Sequence, residues 1–203
     1  MNERSFPILD PESGASAEAW LIRHGETEWS LSGRHTGSTD LPLTENGKSA
    51  ARRLASRLAH EDFSLVLTSP MRRARETCEL AGLGDRAEVV RDLSEWNYGA
   101  YEGRTSAEIQ SLAPGWMLFT DGCPGGESPA EVGARVDRLI ERVRASGRRV
   151  ALFGHGHFFR ALGARWIGMG VSEGSRFLLD TSTFSVLSRY RGTPAIERWN
   201  APT

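Results

Sequence analysis

Short apolar runs alternate with longer amphipathic segments along most of the chain. Apolar runs bounded by turn residues predict buried strands at 19–22, 64–68, 87–91 and 150–153. Between them, apolar residues spaced three and four positions apart predict helices. The two longest helices are expected to begin near residues 45 and 129, and shorter ones near residues 70, 106 and 158.

Capping residues mark where the two long helices begin. Thr44 is expected to be the N-cap of the first, because its hydroxyl can accept a backbone N–H of the first turn. For the second, Ser128 is the predicted N-cap, Pro129 suits the first helical position and Glu131 completes a capping box. Gly147 is expected to end this second helix.

The order of the elements predicts an α/β fold. Strands alternate with helices up to about residue 166, and this order is typical of a parallel sheet with helices on both faces. Residues 183–190 and 195–199 flank Gly192 and predict a terminal β-hairpin. We therefore expect a three-layer α/β/α sandwich with a mostly parallel sheet. It is predicted to be a single domain over residues 18–203, with residues 1–17 as a loose leader.

Charge and cysteine content narrow the class of protein. The 203 residues carry 25 Lys and Arg against 26 Asp and Glu, so no overall positive charge attracts nucleic acid or an anionic membrane. No apolar segment is long enough for a signal-peptide core or a membrane span. Cys78 and Cys123 match no metal-binding or redox spacing, and reduced cysteines are typical of a cytoplasmic protein.

Three predicted strands are followed directly by residues suited to phosphoryl transfer. Arg23-His24-Gly25 follows the first strand, Thr68-Ser69-Pro70-Met71-Arg72-Arg73 ends the second, and Gly154-His155-Gly156-His157 follows the last. Ligands of open α/β sheets bind beyond the carboxyl ends of the parallel strands. Two histidines and at least two arginines are therefore expected in one crevice, where a histidine can act as nucleophile and arginines can clamp a phosphate.

Four sequence blocks resemble those of the histidine phosphatase superfamily, whose fold is also called phosphoglycerate-mutase-like. They cover residues 21–29, 68–77, 95–103 and 154–157, and the resemblance extends from about residue 19 to residue 166. It implies a phosphoglycerate-mutase-like fold. It also implies phosphoryl transfer through a phosphohistidine, with no metal and no other cofactor.

The resemblance implies a catalytic set of five residues. His24 is the implied nucleophile, and Glu95 is the implied acid that protonates the leaving oxygen and later deprotonates water. Arg23, Arg73 and His155 are implied to bind the transferring phosphoryl group. Such a set suits a reaction that depends mainly on positioning and charge stabilisation. The structural alternatives are hydrogen-bonded core histidines, a solvated arginine face of a helix and a surface-loop glutamate.

Five further residues are expected at the substrate. Arg34 and Thr36 match family positions that reach the substrate phosphate from the first long loop. Ser30 and Tyr98 join the predicted substrate-binding set. Gly156 completes it, because glycine allows close backbone approach where the following helix aims its N–H groups at an anion.

The same blocks also allow a zinc site and a different catalytic acid. A zinc site formed by His24, His155 and His157 is disfavoured, because the last two histidines lie beyond the strand and no carboxylate or thiolate ligand is nearby in sequence. For His157 itself, ligand contact and simple packing both stay open. Glu102 is the alternative acid and is rejected by match to the family pattern.

Several positions differ from the cofactor-dependent phosphoglycerate mutases of the family. Ser30 stands where the mutases usually have asparagine, and Trp96-Asn97 replaces their usual Arg-His pair. The lysine expected near Ser106 is missing, and only about 60 residues separate Glu95 from His155. These differences favour a phosphatase. They point to a subgroup that includes bacterial acid phosphatases and fungal sedoheptulose bisphosphatases.

The predicted function is therefore a metal-independent phosphomonoesterase that acts on small phosphorylated metabolites. Its expected partner is a small phosphate ester, with no nucleic acid and no membrane, and a homodimer is an option for its assembly. A cofactor-dependent phosphoglycerate mutase is the alternative enzyme, and a non-catalytic phosphoester-binding regulator is the alternative outside enzymes. The physiological substrate stays open.

Overall fold

The computed structural model describes residues 17–202 of the chain. Six strands form one sheet: β1 Glu18–Arg23, β2 Leu65–Thr68, β3 Ala87–Val89, β4 Arg149–Gly154, β5 Phe184–Tyr190 and β6 Thr193–Ala201. Their order across the sheet is β3-β2-β4-β1-β5-β6.

Most neighbouring strands run parallel. β1 pairs with β4, and β2 pairs with both β4 and β3, all in the parallel direction. β5 runs antiparallel to β1 and continues into β6 through the hairpin predicted from the sequence. The carboxyl ends of β1, β2 and β4 therefore meet at one edge of the sheet, and this confirms the expected arrangement of the three motif-bearing strand ends.

Helices cover both faces of the sheet. They are α1 Glu28–Leu31, α2 Glu45–Leu58, α3 Arg72–Leu80, α4 Ser106–Leu112, α5 Leu118–Asp121, α6 Pro129–Ser146 and α7 Gly156–Trp166. Apolar side chains of α2 and α3 share one buried cluster with the sheet, and those of α6 and α7 share the other. The predicted three-layer α/β/α sandwich is confirmed.

The strand β1 shows how one segment supplies both core clusters. Successive side chains of a strand point to opposite faces. Trp20 and Ile22 accordingly belong to the cluster under α2 and α3, whereas Leu21 belongs to the cluster under α6 and α7. A strand buried on both faces explains why the sequence shows a continuous apolar run here instead of an alternating one.

The capping signals identify the starts of the long helices correctly. The Thr44 side chain accepts the Gly47 N–H at 3.0 Å. Ser128 accepts the Glu131 N–H at 3.3 Å, while the Glu131 carboxylate accepts the Ser128 N–H at 2.8 Å. Gly147 ends α6 in the left-handed conformation, with φ of 61°.

Several element boundaries differ from the predictions. The long loop after β1 contains the short helix α1, whose capping box uses Thr27 with Ser30 instead of a glutamate. The helix expected from Pro70 begins at Arg72, because Met71 stays extended as its N-cap. The short helix α5 at Leu118–Asp121 follows α4, and the third strand ends at Val89, before a 3₁₀ turn.

Ala17 and the two cysteines are buried in the core. The predicted leader lies outside the described residues except for Ala17, which is buried against the α6–α7 side of the core. Both cysteines are unpaired and buried, and burial raises the pKa of Cys78 and of Cys123 to about 12. No helix within residues 17–202 combines the length and the apolar character needed to cross a membrane.

Candidate active site

A cavity of about 220 Å³ opens at the edge of the sheet where β1 and β4 end. It is lined by residues from these strand ends, the first long loop, the acid loop and α7. The lining residues are Arg23, His24, Ser30, Gly33, Arg34, His35, Thr36, Glu95, Tyr98, Ser106, Gly156, His157, Arg160 and Leu179. Eight of the ten predicted site residues therefore line one cavity, and Arg73 and His155 do not.

His24 is held in one orientation with one ring nitrogen bonded. Its Nδ1 lies 2.7 Å from the carbonyl oxygen of Gly25. A carbonyl only accepts, so Nδ1 carries the proton and Nε2 keeps its lone pair. Burial, followed by the nearby charges of Arg73 and Arg23, lowers the pKa of His24 well below 6.5. The ring is therefore neutral and can act as a nucleophile.

Arg23 places a cation beside this ring. Its Nη1 donates to the carbonyl of Leu179, while its Nε is buried without a hydrogen-bond partner among the described residues. Burial lowers the pKa of Arg23, and the carboxylate of Glu95 opposes that effect. A buried N–H with no partner is uncommon and costly, and at the wall of a cavity it suits an anionic ligand.

Arg73 and His155 form a second arginine–histidine pair, directly behind the first. Arg73 Nε donates to His155 Nδ1 at 3.2 Å, so His155 carries its proton on Nε2, which lies 2.7 Å from the Ser69 hydroxyl. Burial, and then the charge of Arg73, lowers the pKa of His155 well below 6.5. The rings of His24 and His155 lie 5.2 Å apart, centre to centre.

The remaining donors of Arg73 hold the first long loop. Its Nη2 donates to the carbonyls of Thr36 and Gly37, and its Nη1 donates to that of Thr39. Glu102, the acid rejected from the sequence, accepts the backbone N–H groups of Gly37 and Thr39. Segment 36–39 is thus fixed by a guanidinium on its carbonyls and a carboxylate on its N–H groups.

Glu95 caps the first turn of α7 from inside the cavity. Its Oε1 accepts the N–H groups of Trp96 at 2.9 Å and Phe158 at 2.8 Å, and its Oε2 accepts that of His157 at 3.0 Å. Two N–H groups of the helix N-terminus, where a ligand anion was expected, are therefore bonded to the Glu95 carboxylate. Oε2 has one N–H partner and keeps acceptor capacity for a proton.

A histidine–tyrosine cluster forms the opposite wall. The Tyr98 hydroxyl lies 2.6 Å from His157 Nδ1, and the His157 ring stacks on that of His35 with their centres 5.7 Å apart. His35 Nδ1 lies 2.8 Å from the Arg104 carbonyl and therefore carries a proton. Burial lowers the pKa of His157 well below 6.5, with the charge of Arg160 as the second cause.

The other predicted substrate residues line the cavity with their side chains partly engaged. The Ser30 hydroxyl donates to the Thr27 carbonyl as part of the α1 cap. Arg34 donates from Nη1 to the Gly103 carbonyl at 2.6 Å, and the Thr36 hydroxyl donates to the Arg34 carbonyl at 3.2 Å. At Gly156 a Cβ would lie 3.1 Å from the Arg23 guanidinium carbon, so the absence of a side chain here leaves room for that guanidinium.

Two chemically important lining residues were missed from the sequence. His35 stands in a polar loop that has no periodicity, so only its place next to Arg34 and Thr36 could have drawn attention to it. Arg160 lies on α7, five residues after His155, and one turn of helix places it near the same crevice. Arg72 and Arg75, by contrast, are exposed on α3 as expected.

The zinc hypothesis gains no support from the geometry. Within residues 17–202 no group of three or more His, Cys, Asp or Glu side chains is arranged to hold a metal ion. Nδ1 of His24 and both ring nitrogens of His155 have protein partners.

Comparison with known proteins agrees with this arrangement. The family described as histidine phosphatase superfamily (branch 1) matches residues 19–202. An acid phosphatase of Mycobacterium tuberculosis is 44% identical over 171 residues, which cover 82% of this chain and 83% of that protein. Sedoheptulose 1,7-bisphosphatase of Saccharomyces cerevisiae is 36% identical over 185 residues, 75% of this chain and 68% of that one.

Structural comparison gives the same result. The solved structure of an open reading frame of Mycobacterium tuberculosis superposes with a TM-score of 0.86 at 38% identity, covering 91% of this chain and 97% of that one. The sequence match spans all six strands and every motif-bearing loop of the cavity. The chain belongs to the histidine phosphatase superfamily.

Proposed function

We propose that this protein is a phosphomonoesterase that hydrolyses small phosphorylated metabolites through a phosphohistidine on His24. The observation that carries the proposal is the state of the His24 ring. Nδ1 is protonated and bound to Gly25, so the unprotonated Nε2 is left for phosphorus at the cavity wall. The partner is a small phosphate ester, and its identity beyond this class is not part of the proposal.

The reaction divides into two transfers. In the reactive complex Glu95 carries a proton on Oε2. His24 Nε2 attacks the phosphorus, the bond from phosphorus to the ester oxygen breaks, and the leaving oxygen takes that proton, which leaves Glu95 as a carboxylate. Water then attacks the phosphohistidine, Glu95 takes back a proton from that water, and the bond from nitrogen to phosphorus breaks. Inorganic phosphate leaves, and both side chains return to their starting states. Glu95 lines the same cavity as His24 and keeps acceptor capacity on Oε2, which supports this role.

We propose that Arg23 contributes most to stabilising the negative charge of the transferring phosphoryl group. Its unpartnered Nε lies at the cavity and can donate to a phosphoryl oxygen without breaking a protein hydrogen bond. Arg73 and His155 do not line the cavity. We propose that they still bind the phosphoryl group, through the charge of Arg73 and through the His155 ring, whose centre lies 5.2 Å from that of His24. We propose that these guanidinium groups supply the charge that a divalent cation supplies in other phosphatases.

Hydrolysis is favoured over phosphoryl transfer to a second metabolite by two observations. The acid phosphatase and the bisphosphatase named above are both hydrolases by name and cover most of the chain. The positions that distinguish the mutases, such as Ser30 and Trp96, differ here. A mutase remains the alternative enzyme to be tested.

One experiment tests the covalent step and the metal independence together. The enzyme is treated with EDTA, mixed with p-nitrophenyl phosphate and quenched in denaturant at neutral or alkaline pH. We expect undiminished turnover and an acid-labile phosphoryl group that peptide mapping assigns to His24. His24→Ala should lose turnover by about 10⁴-fold or more, as nucleophile removal does in other enzymes. Phosphate on His155, or activity restored only by zinc, would refute the proposal.

A further inference from the structure

A second cavity of about 200 Å³ adjoins the first. The two share His35, Ser106, His157 and Arg160 in their walls, so they lie side by side. We call this second cavity the annex. Its remaining lining residues are Gln110, Trp116, Met117, Leu118, Phe119 and Ser175.

The annex differs from the first cavity in chemistry. The first cavity contributes Arg23, Arg34 and Glu95, whereas four consecutive residues of the annex, 116–119, are aromatic or aliphatic. Met117 is 52% exposed, so part of this apolar wall is open to solvent. The first cavity, which contains His24, therefore has a polar lining, and the annex has a more apolar one.

The polar groups of the annex are already engaged. The Trp116 indole N–H donates to the Gly122 carbonyl at 2.7 Å, so the ring offers only its apolar surface. The Gln110 amide donates to the Trp116 carbonyl and accepts the Gly115 N–H. Arg160 donates to the Gly174 and Ser175 carbonyls, both at 3.1 Å. An occupant would find few free hydrogen-bonding groups here.

The aromatic wall is also fixed in place. The Trp116 ring packs edge-on against Tyr101 at 5.1 Å and His35 at 5.7 Å, centre to centre. The Arg160 guanidinium lies 4.7 Å above the centre of the Phe119 ring. Rigid aromatic walls bind planar apolar groups with little loss of conformational entropy. An apolar cavity of about 150 Å³ is known to accept benzene, so the volume suffices for one ring.

We propose that the annex binds the alcohol part of the substrate, and that this part carries an aromatic or similarly apolar ring. The proposal rests on the phosphomonoesterase activity proposed above and adds the substrate class. The pocket then selects among phosphate esters by the group attached to the ester oxygen, with Trp116 as the main specificity-determining residue.

The test compares three esters whose alcohols are all primary and aliphatic: ethyl phosphate, 2-phenylethyl phosphate and the phosphate ester of 3-hydroxypropanoate. Ring burial should raise kcat/KM for 2-phenylethyl phosphate over ethyl phosphate by about 10- to 100-fold. The carboxylate-bearing ester should show no such gain. A gain for the carboxylate ester alone would show that Arg160 reads an anion and would overturn the proposal.

Three variants locate the effect. Trp116→Ala should lower the ratio of kcat/KM for 2-phenylethyl over ethyl phosphate by about 10-fold, and Met117→Ser should lower it less. Met169→Ala, an exposed methionine that lines neither cavity, should leave the ratio unchanged. If ethyl phosphate is hydrolysed and the ratio is near one in the wild type, the annex proposal fails and the phosphatase stands. If no ester is hydrolysed, the proposed function itself fails.

Discussion

The two arginine–histidine pairs consist of the same residue types but are bonded in opposite ways. In the Arg23–His24 pair, one guanidinium nitrogen has no partner and one imidazole nitrogen keeps its lone pair at the cavity wall. In the Arg73–His155 pair, both imidazole nitrogens and all three guanidinium nitrogens have protein partners. The first pair keeps hydrogen-bonding atoms that have no protein partner within residues 17–202, whereas every nitrogen of the second pair has one.

The difference teaches that residues of the same type at equivalent strand ends can differ in which ring nitrogens have a protein partner. His24 and His155 both follow the carboxyl ends of parallel strands, and both are neutral because burial lowers their pKa values. Their protons, however, sit on different nitrogens, since Gly25 offers a carbonyl to one ring and Arg73 offers an N–H to the other. The hydrogen-bond partner decides which nitrogen is left for chemistry.

The largest effects are expected from replacing each arginine by methionine, which keeps most of the volume and removes the charge. Arg23→Met and Arg73→Met should each lower kcat/KM by about 10² to 10³. Only Arg73→Met should also lower the free energy of unfolding, by about 3 kcal/mol or more, because it leaves buried His155 Nδ1, the buried Gly37 carbonyl and two partly buried carbonyls without their donor.

Urea unfolding monitored alongside steady-state kinetics separates the two outcomes. Arg23→Met should change the free energy of unfolding little, since it removes a buried donor that has no partner as well as one that bonds Leu179. Arg72→Met and Arg75→Met are the matched controls, because both side chains are exposed on α3. Equal destabilisation at positions 23 and 73 would erase the distinction between the pairs.

The next largest effect is expected on the pH dependence of the free energy of unfolding, to which His24 and His155 should contribute equally. The pKa values of His24, His155 and His157 all lie well below 6.5 in the folded protein, mainly because of burial. Below pH 6.5 the unfolded chain binds protons that the folded chain does not, so stability is full above that pH and is lost as pH falls. Each such histidine contributes about 1.4 kcal/mol per pH unit.

Urea unfolding at pH 7, 6 and 5 measures this slope. His24→Gln and His155→Gln should each reduce it by about 1.4 kcal/mol per pH unit. His60→Gln, at an exposed position of the turn after α2, should leave it unchanged. If His24→Gln reduced the slope and His155→Gln did not, His155 would take up a proton in the folded state. The hydrogen-bond partners assigned to His155 would then be wrong.

The contrast between the pairs also marks the limit of prediction from sequence. The parallel strands, the capped starts of α2 and α6 and the convergence of the three strand ends follow from local patterns, because apolar runs, capping residues and glycines act within a few positions. The roles of the site residues came from the resemblance to the histidine phosphatase superfamily, and eight of the ten residues it implied line the cavity.

The division of labour between Arg23 and Arg73 could not be predicted. The partners of Arg73 lie 34 to 37 positions away in the first long loop and 82 positions away at His155. Glu95 likewise finds two N–H donors on α7, 62 and 63 residues further along the chain. Such contacts depend on how loops of no regular pattern pack together, and no periodicity records them. His35 and Arg160 were missed for the same reason.

A smaller effect is expected from the hydroxyl that completes the second pair. Ser69→Ala removes the partner of His155 Nε2 and leaves a buried donor unpaired. The free energy of unfolding should fall by about 1 to 3 kcal/mol, and the imidazole ¹⁵N shifts of His155 should change while those of His24 stay as they are. Ser64→Ala, an exposed serine at the start of the same strand, is the control. Unchanged His155 shifts would show that Ser69 is not its partner.

The smallest effect is expected from the residues that hold the first pair from a distance. The loop at 179–183 contacts both members, since the Leu179 carbonyl accepts Arg23 Nη1 and the Ser182 N–H donates to the His24 carbonyl at 3.1 Å. That loop is tied to β6 by Asp180 and Asn200. The Asp180 N–H donates to Asn200 Oδ1 at 2.7 Å, and Asn200 Nδ2 donates to Asp180 Oδ2 at 2.8 Å.

Asn200 is therefore expected to be a positioning residue for Arg23 and His24. Asn200→Gly keeps the backbone conformation, whose φ of 54° a glycine tolerates, and removes only the amide. It should lower kcat by about 3- to 10-fold with little change in KM, because the nucleophile is less well held. Asn200→Asp should do the same by placing two carboxylates together. The double variant Asp180→Asn/Asn200→Asp exchanges the donor and the acceptor and should recover most of the lost kcat. If each side chain acted alone, the two substitutions would not compensate each other in this way. If the double variant is as slow as Asn200→Asp, the link between β6 and the nucleophile is wrong.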